Sequence, residues 1–454
     1  MKKRKFILIS NSLIFSFINL IANPLNIDGS WEGKLKINPE MGLRLVINIK
    51  DAVGEESTIT MDSPDQGAYG IPMQIVYIGA DSLNVEVPQL MLKYKGKLDG
   101  DSIKGDFSQG PLNLPLTLKP KVTTLNRPQT PVAPFPYITE EVTFLSTLDK
   151  ASLYGTLSMP SDIPDKTPAV LLVSGSGTQN RDEEIFGHKP FAVIADFLAR
   201  NGIASLRYDD RGFDKSTGLA PNPTTYENKM DARGGVDFLR QRGFSKIGII
   251  GHSEGGLIAD MVANDGDHID FIVELGGPAL PGDSILIFQN EFLLRDGGLP
   301  EEYISMYIEG MRGMFNSQKG KNAVPFDETG YKIFSDSSIA NPVLAPLAKN
   351  LRDNFSDPAP WLKYFINYDP MPDIKNITVP ILMLYGENDT QVPPSLNVPV
   401  LIENIPAIKI KVYPALNHLM QHCKTGKVNE YAEIEETVSP EVLEDIVEFI
   451  QSVD

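Results

Sequence analysis

Residues 247–256 read Ile-Gly-Ile-Ile-Gly-His-Ser-Glu-Gly-Gly, and this stretch decides the fold. Its first four residues predict a short buried strand, and the pattern Gly-x-Ser-x-Gly follows at once. The apolar residues after it lie at helical spacing, so the chain turns from a strand directly into a helix. Such a turn places Ser253 at the carboxyl end of the strand under backbone strain. The stretch predicts a reactive serine, with an ordinary glycine-rich turn as the alternative.

Strands and helices alternate around this turn. Strands are predicted at 169–173, 203–206, 247–250, 271–275, 379–384 and 407–412, and helices at 191–198, 226–242 and from 439 onward. Because this order needs crossover helices, it predicts an α/β fold with a mostly parallel sheet and helices on both faces. The last helix opens with Ser439 and Pro440, and its predicted core face is Val442, Leu443, Ile446, Val447 and Ile450.

The alternation stops after Gly277 and resumes only near Val379. Helices rich in Met, Phe and Tyr are predicted at 284–295 and 301–315, with no buried strand between them. Because the sheet needs the last two strands for completion, residues 278–377 are predicted to form a helical cap inserted into one α/β core. A separate helical domain is the alternative.

The segment before the α/β region has a different periodicity. Short strands at a spacing of about ten residues are predicted at 31–37, 43–49, 57–61, 73–78, 83–87, 91–98 and 102–107. Turn residues separate them, which indicates a small all-β, barrel-like domain or a sandwich. Four aromatic side chains could line a ligand cup or could simply pack in the domain: Trp31, Tyr69, Tyr77 and Tyr94.

Five prolines between residues 120 and 136 mark a linker, because neither a helix nor a central strand tolerates that density. The predicted organisation is a signal peptide at 1–22, a β domain at 23–119, a Pro-rich linker at 120–137, an α/β core at 138–277 and 378–454, and the cap at 278–377.

The first residues have the layout of a signal peptide. Residues 2–5 are basic, residues 6–21 are mostly apolar, and Ala22 is a small residue at a plausible cleavage point. A membrane span takes about 20 apolar residues, and polar residues interrupt this stretch. The chain is therefore predicted to be exported to the periplasm or outside the cell, with retention as an N-terminal anchor as the alternative.

Composition excludes several classes of function. Lys plus Arg number 41 against 59 for Asp plus Glu, a formal charge of −18, which argues against nucleic acid or an anionic membrane as the main partner. The single cysteine, Cys423, excludes an internal disulfide and a cysteine-based metal site. The expected partner is a small molecule, and neither a cofactor nor a metal is predicted.

A serine hydroxyl needs a base to accept its proton, and the chain has five histidines. His418 follows the last predicted strand and is the preferred base, with His422 as the fallback. His252 lies inside the turn and is predicted to point away from the reacting face. His188 and His268 are predicted to lie at the surface.

The base needs a carboxylate to orient it. Asp389, in the loop after the strand at 379–384, is the preferred acid, and Glu387 is the runner-up. The chain order Ser253, Asp389, His418 is that of α/β-hydrolases and differs from the chymotrypsin and subtilisin orders.

The segment from about residue 138 to the end resembles the α/β-hydrolase superfamily. The motifs that carry the resemblance are SGSGTQNRDEE at 174–184, RYDDRG at 207–212, GHSEGG at 251–256, YGENDTQVP at 385–393 and NHLMQ at 417–421. They are similar to exported bacterial carboxylesterases of the EstD type, near a serine-aminopeptidase-like branch, some of which carry an N-terminal β domain. The resemblance implies that Ser253 is the nucleophile, Asp389 the acid and His418 the base.

The chain departs from many relatives at two positions. Ser174 stands where they have histidine, and Asp214 stands where they have glycine. An oxyanion hole uses backbone N–H groups, so the first departure leaves it possible. The expected donors are Ser176 and Glu254, with Gly177 as an alternative to Ser176.

The sequence thus predicts a metal-free serine hydrolase that cleaves carboxylic esters of short to medium acyl chains. Candidates for an apolar acyl pocket, or for helix packing, are Met306, Met311, Met314, Phe315 and Trp361. An aminopeptidase or amidase is the alternative, with carboxylates for a substrate ammonium available at Glu291, Asp296, Glu301, Glu302 and Glu309. A binding protein acting through its β domain is a third possibility. Arg181 and Arg211 are expected to brace loops, or else to bind a substrate carboxylate.

Overall fold

The computed structural model describes residues 27, 29–37, 42–50, 58–66, 68–78, 82–110, 112–121, 126–162, 167–218, 223–266, 269–319, 344–355, 357–406 and 408–453. The chain divides into two compact units, Met1–Thr124 and Leu125–Asp454. The predicted signal peptide and His268 lie outside the described residues. The predicted domain boundaries stay predictions.

The N-terminal unit is a single antiparallel sheet. Its strands are β1 (Gly29–Lys36), β2 (Gly42–Lys50), β3 (Thr58–Ser63), β4 (Ala68–Pro72), β5 (Gln74–Ile78), β6 (Ser82–Val87), β7 (Leu92–Asp99), β8 (Ser102–Gln109) and β9 (Leu112–Pro120). Their order is β4-β3-β2-β1-β9-β8-β7-β6-β5. Only Met73 separates β4 from β5, so the two outermost strands come together and the sheet curls around its core. This confirms the predicted all-β, barrel-like architecture.

The aromatic residues of this unit are divided between core and surface. Trp31 and Tyr94 are buried; the indole N–H of Trp31 donates to the Ile27 carbonyl at 2.8 Å, and the Tyr94 hydroxyl donates to the Ile103 carbonyl at 3.0 Å. Tyr77 on β5 is 54% exposed. Trp31 and Tyr94 therefore pack in the core of the unit and do not line a ligand cup. The side chain of Tyr69 is not among those that the structure describes.

Two strands escaped the sequence prediction. β4 contains a glycine and ends in proline, and β9 contains Pro115 and Pro120. Proline has no N–H to donate to a neighbouring strand, so a pattern search assigns such segments to turns. Both strands nevertheless pair, β4 with β3 and β9 with β8.

The second unit is built on an eight-stranded sheet. Its strands are β10 (Ile138–Leu145), β11 (Ser152–Met159), β12 (Ala169–Val173), β13 (Ala204–Tyr208), β14 (Ile247–His252), β15 (Phe271–Leu275), β16 (Ile381–Gly386) and β17 (Lys409–Tyr413), in the order β10-β11-β13-β12-β14-β15-β16-β17. β10 pairs antiparallel with β11, and β11 with β13. The other six strands pair in parallel, which confirms the predicted mostly parallel sheet.

Helices cover both faces of this sheet. They are α1 (Pro190–Arg200), α2 (Thr225–Gln241), α3 (Glu254–Asn264), α4 (Gly282–Asp296), α5 (Glu301–Ser317), α6 (Leu344–Phe355), α7 (Pro360–Phe365), α8 (Met371–Asn376), α9 (Pro394–Asn404) and α10 (Pro440–Ser452). α1 and α10 share one apolar core with Ile250 of β14, and α2 and α3 share another with its neighbour Ile249. Successive strand residues face opposite sides, so one strand supplies both cores. All five predicted core residues of α10 are buried.

The segment between β15 and β16 contains α4 to α8, as predicted for a helical insertion. Its own core includes Met311, Met314 and Phe315 of α5, which are almost completely buried against α6. Helix packing therefore explains these three candidates for the acyl pocket. In the described part of the chain, no helix is both long and apolar enough to span a membrane.

The proline-rich segment at the start of the second unit packs against the rest of that unit. The guanidinium of Arg127 donates to the carbonyls of Ile434 at 2.6 Å and Phe186 at 2.8 Å. The side chain of Gln129 donates to the Val438 carbonyl at 2.7 Å. The described residues 126–137 thus hold the loop that precedes α10.

Candidate active site

Ser253 stands between β14 and α3 in a backbone conformation that few residues adopt. Its φ is 53° and its ψ is −119°. Close packing enforces the turn, because a Cβ at Gly255 would lie 2.1 Å from the Val173 carbonyl oxygen. The strained serine predicted from residues 247–256 is therefore present, and its side chain is half-buried at the carboxyl end of the sheet.

The structure brings together the predicted base and acid. Nδ1 of His418 lies 2.6 Å from Oδ2 of Asp389, and both side chains are buried. The second carboxylate oxygen of Asp389 accepts the backbone N–H groups of Gln391 at 2.7 Å and Val392 at 2.8 Å. These two bonds fix the carboxylate so that Oδ2 faces the ring. Among the described residues Nε2 of His418 has no hydrogen-bond partner.

The loop that follows β12 passes directly over Ser253. A Cβ at Gly175 would lie 3.1 Å from the Cβ of Ser253. The N–H of Gly175 donates to Oε1 of Glu183 at 2.7 Å and is therefore occupied. The N–H of Ser176 has no partner among the described residues, and the N–H of Glu254 lies in the first turn of α3, where backbone donors have no partner within the helix. These two amides remain the predicted oxyanion donors.

The Glu254 side chain connects three elements around these amides. Its buried carboxylate accepts the hydroxyls of Ser176 and Thr225, both at 2.6 Å, and the indole N–H of Trp361 at 2.9 Å. Ser176 belongs to the loop after β12, Thr225 begins α2, and Trp361 lies in the inserted segment on α7. Burial raises the pKa of Glu254, and the three hydrogen bonds oppose that rise.

His252 occupies a different position from the one predicted. Its ring lies 4.7 Å from the ring of His418, centroid to centroid, and it lines the same cavity as Ser253. Nδ1 of His252 lies 2.9 Å from Oε1 of Glu183, and Nε2 lies 3.0 Å from the backbone carbonyl oxygen of His418. The expectation that this histidine points away from the site is therefore wrong. It packs there because β14 ends under the loop that carries Glu183.

The remaining described histidines are remote from Ser253. His188 was predicted at the surface but is fully buried, bonded to Thr437 and to the Tyr431 carbonyl, both at 2.9 Å. Burial lowers its pKa to about 4, so it is neutral. His422, the fallback base, is exposed and pairs with Glu436 at 2.9 Å. The runner-up acid, Glu387, is exposed as well.

Ser253 and His418 share one cavity of about 260 Å³. The inserted helices supply apolar side chains to its lining, and polar side chains line it as well: Ile285, Leu286, Trp361 and Phe365 are apolar, and Gln289, Gln391 and Tyr431 are among the polar ones. Of the five candidates for the acyl pocket only Trp361 lines this cavity, since Met306 also packs within the inserted helices. The cavity lining therefore combines aromatic, aliphatic and polar side chains.

The two arginines near the site brace loops. Arg181 pairs with Asp209 and Glu141, both at 2.6 Å. Arg211 is fully buried, and its guanidinium binds the Asp231 carboxylate through two nitrogens. Because both arginines are paired with carboxylates of the protein, their positions do not support the alternative that they bind a substrate carboxylate.

Asp210 anchors the loop after β12 from below. It accepts the Gln179 N–H at 2.8 Å and the Ser174 hydroxyl at 3.1 Å, and burial raises its pKa to about 8. Ser174, which stands where many relatives have histidine, therefore has its own hydrogen-bond partner in Asp210. Within the described residues no group of three or more His, Cys, Asp or Glu side chains is placed to hold a metal ion.

Three features define the class of protein. They are the sheet order, the strained serine at the carboxyl end of β14, and a histidine–aspartate pair in the loops after β16 and β17. Residues 170–423, more than half of the chain, match the family described as the alpha/beta hydrolase family. The chain belongs to the alpha/beta hydrolase family.

Individual relatives cover parts of the chain. Esterase EstD of Thermotoga maritima is 28% identical over 262 residues, which are 56% of this chain and 54% of that protein. The chain thus spans about half the length of this curated relative. An esterase of Pyrococcus furiosus aligns with 18% identity and a TM-score of 0.40, over 69% of this chain and 91% of its own. A proline iminopeptidase of Mycobacterium smegmatis aligns with 14% identity and a TM-score of 0.42, over 69% of this chain and 98% of its own.

Proposed function

We propose that this protein hydrolyses carboxylic esters of short to medium acyl chains through an acyl-enzyme on Ser253. The observation that carries the proposal is the 2.6 Å contact between His418 and Asp389 beside a cavity that Ser253 also lines. The similarity to esterase EstD supports the same reaction class.

Each residue has a distinct task in this reaction. With Nδ1–H donated to Asp389, Nε2 of His418 accepts the proton of Ser253 as the hydroxyl oxygen attacks the ester carbonyl. The backbone N–H groups of Ser176 and Glu254 stabilise the developing oxyanion, and each such donor contributes about 10²- to 10³-fold to the rate. His418 then protonates the leaving alcohol, and a water molecule activated by the same histidine hydrolyses the acyl-enzyme.

The peptidase alternative needs a carboxylate that is free to bind an ammonium group. The candidates on the inserted helices do not provide it: Glu291 and Glu301 pair with Arg295, and Asp296 pairs with Lys427. None of the five predicted carboxylates lines the cavity. We therefore expect faster turnover of a short acyl ester than of an aminoacyl-nitroanilide, and the opposite ratio would favour the peptidase.

The Ser253→Ala variant tests the assignment. It should abolish both p-nitrophenyl ester hydrolysis and fluorophosphonate labelling, because the proposed nucleophile shares its cavity with the His418–Asp389 pair. Ser161→Ala, at an exposed serine of the same unit, serves as the matched control and should retain both. Labelling that persists in Ser253→Ala at another serine would refute the assignment.

We also propose that the protein is exported to the periplasm or beyond. The proposal rests on the basic and apolar character of residues 1–22. Fractionation of cells that express the full chain, and a variant in which residues 2–5 are neutral, would test it. Equal cytoplasmic retention of both proteins would contradict export.

A further inference from the structure

His252 and Glu183 form a pair that the proposed reaction does not use directly. Both side chains are buried, at 7% and 5% exposure, and they lie beneath the loop that crosses Ser253. His252 belongs to the end of β14, whereas Glu183 belongs to the loop after β12. The pair therefore connects two elements of the active site from below.

The two nitrogens of the His252 ring both face acceptors. Nε2 faces the carbonyl oxygen of His418, and Nδ1 faces Oε1 of Glu183. A backbone carbonyl has no proton to donate, and neither does an ionised carboxylate. A neutral imidazole has a single N–H and satisfies only one of these contacts, whereas an imidazolium donates to both.

Glu183 is the acceptor in a second contact as well. The same oxygen that faces His252 also accepts the N–H of Gly175 at 2.7 Å. Two donors on one oxygen favour the ionised form of the carboxylate. The proton of the pair therefore resides on the histidine.

We propose that His252 and Glu183 form a buried imidazolium–carboxylate pair that positions the loop over Ser253 and the loop of His418 relative to each other. Hydrogen bonds run from the Gly175 N–H to Glu183, from His252 to Glu183, and from His252 to the backbone of His418. His252 is thus a positioning residue, and this inference rests on the proposed ester hydrolysis at Ser253.

The surroundings of His252 set the direction of its pH dependence. Burial is the largest single influence and lowers the pKa of His252, but the charge and hydrogen bond of Glu183, the His418 carbonyl and the charge of Asp389 together outweigh it, so the net shift of the pKa is upward. The groups that face the ring from other elements are Glu183, Asp389 and His418. Since the pKa is raised, the imidazolium and the pair are present below that pKa and are lost as the pH rises through it.

The kinetic test compares single and double variants of the pair. His252→Gln and Glu183→Gln should each lower kcat about 10- to 100-fold and change KM less than about threefold, since displaced catalytic groups slow the chemical step. The kcat of the parent should decrease at alkaline pH, and this alkaline decrease should be absent in both single variants. The double variant can rebuild a neutral chain of amide hydrogen bonds, so it should be more active than either single variant. His422→Gln is the matched control, an exposed histidine with a carboxylate partner, and should behave as the parent.

A measurement without substrate separates this inference from the proposed function. In full-length protein labelled with ¹⁵N-histidine, one ring should be doubly protonated at pH 7.5 with slowly exchanging N–H protons, and that signal should vanish in His252→Gln. If that variant does not fold, loss of the second proton in Glu183→Gln makes the same assignment. Absence of a doubly protonated buried ring, or a pH profile unchanged in both single variants, would overturn the pair even if Ser253→Ala abolishes hydrolysis.

Discussion

The two sides of Ser253 are built differently. The base side consists of Asp389 and His418, which lie in loops after adjacent strands of the sheet and bind each other directly. The oxyanion side consists of Ser176, Glu254 and Trp361, where one buried carboxylate gathers donors from separate elements. The inserted helices contact both sides in different ways. On the oxyanion side Trp361 of α7 donates to the Glu254 carboxylate itself, whereas on the base side Gln289 of α4 donates to the backbone carbonyl of Gln391 at 3.2 Å, beside the pair rather than within it.

This difference suggests a division of labour. The two N–H groups that fix the Asp389 carboxylate come from its own loop, and α4 contacts that loop at the Gln391 backbone carbonyl. An oxyanion loop that shares its carboxylate with Trp361 responds to the position of α7. Movement of the inserted helices is therefore expected to affect the oxyanion side more directly than the base side.

Asp389→Asn should break the base side and have the largest effect. Oδ1 of Asp389 accepts two backbone N–H groups, so the amide oxygen of asparagine would remain there and its NH₂ would face His418. Nδ1 would then have to accept, Nε2 would carry the proton, and kcat for ester hydrolysis should fall about 10³- to 10⁴-fold. Glu387→Gln on the same loop is the control and should stay within about twofold of the parent. The reverse result would make Glu387 the acid.

Glu254→Gln should break the oxyanion side with a smaller effect. The Trp361 N–H faces both carboxylate oxygens, at 3.0 and 2.9 Å, whereas Thr225 and Ser176 each donate to one of them. An amide NH₂ in place of either oxygen therefore removes the acceptor of one hydroxyl and leaves the indole a single oxygen. We expect kcat to fall about 10- to 100-fold, less than for removal of an oxyanion donor, because the backbone amide of residue 254 remains. Steady-state kinetics of a p-nitrophenyl ester would measure the loss. Glu227→Gln, in the capping box of α2, is the control, and an equal loss there would indicate general destabilisation.

The base side could be predicted from the sequence because its signals are local. The Gly-x-Ser-x-Gly turn and a carboxylate and a histidine that each follow a predicted strand suffice to bring Ser253, Asp389 and His418 to one edge of the sheet. The same reasoning recovered the mostly parallel sheet and the core face of α10. It missed β4 and β9, where prolines hide strands that pairing stabilises, and it also missed the antiparallel strands β10 and β11 at the edge of the second sheet.

The oxyanion side could not be predicted in this way. Trp361 and Glu254 are 107 residues apart in the chain, and no local pattern connects them. A signal was nevertheless present in the motif itself. His252 and Glu254 flank the serine at positions that must be buried between the sheet and the loop above it, and buried polar groups require partners. Because these two buried side chains need hydrogen-bond partners, the motif indicates a polar network around the serine turn.

Trp361→Phe tests how far the oxyanion side depends on the inserted helices, because it removes the indole N–H and keeps an aromatic ring. The Trp361 ring stacks on Phe365 with centroids 5.1 Å apart, and phenylalanine keeps an aromatic ring at that position. Loss of one hydrogen bond worth about 1 kcal/mol should raise KM about fivefold, with kcat within about twofold. Trp361→Leu, which also removes the stacked ring, should raise KM further. A fall in kcat as large as that of Glu254→Gln would show that the indole N–H supports the chemistry directly.

We expect the smallest effect on activity from a substitution in a pair of carboxyl groups behind the serine turn. Asp260 of α3 and Glu274 of β15 are fully buried, lie within hydrogen-bonding reach of each other, and have no other partner among the described residues. Burial raises the pKa of both groups, and the charge of Glu274 raises that of Asp260 further. The contact is a hydrogen bond only while one carboxyl group carries a proton.

Stability should therefore fall as the pH rises from the ordinary carboxyl range to the raised pKa values of Asp260 and Glu274, because over that interval the groups are protonated in the folded protein and ionise when it unfolds. We expect the free energy of unfolding to decrease by about 1–3 kcal/mol between pH 6 and pH 9, since each unit of pKa shift corresponds to about 1.4 kcal/mol. Glu274→Gln should reduce this decrease, because its amide can donate to an ionised Asp260, and kcat at pH 7 should stay within about twofold since neither residue lines the cavity. Urea unfolding at the two pH values measures the difference, with the exposed Glu444→Gln as control. Equal pH dependence in parent and Glu274→Gln would mean that the pair does not titrate in this range, and a loss of activity in Glu274→Gln would mean that the two sides of Ser253 depend on it together.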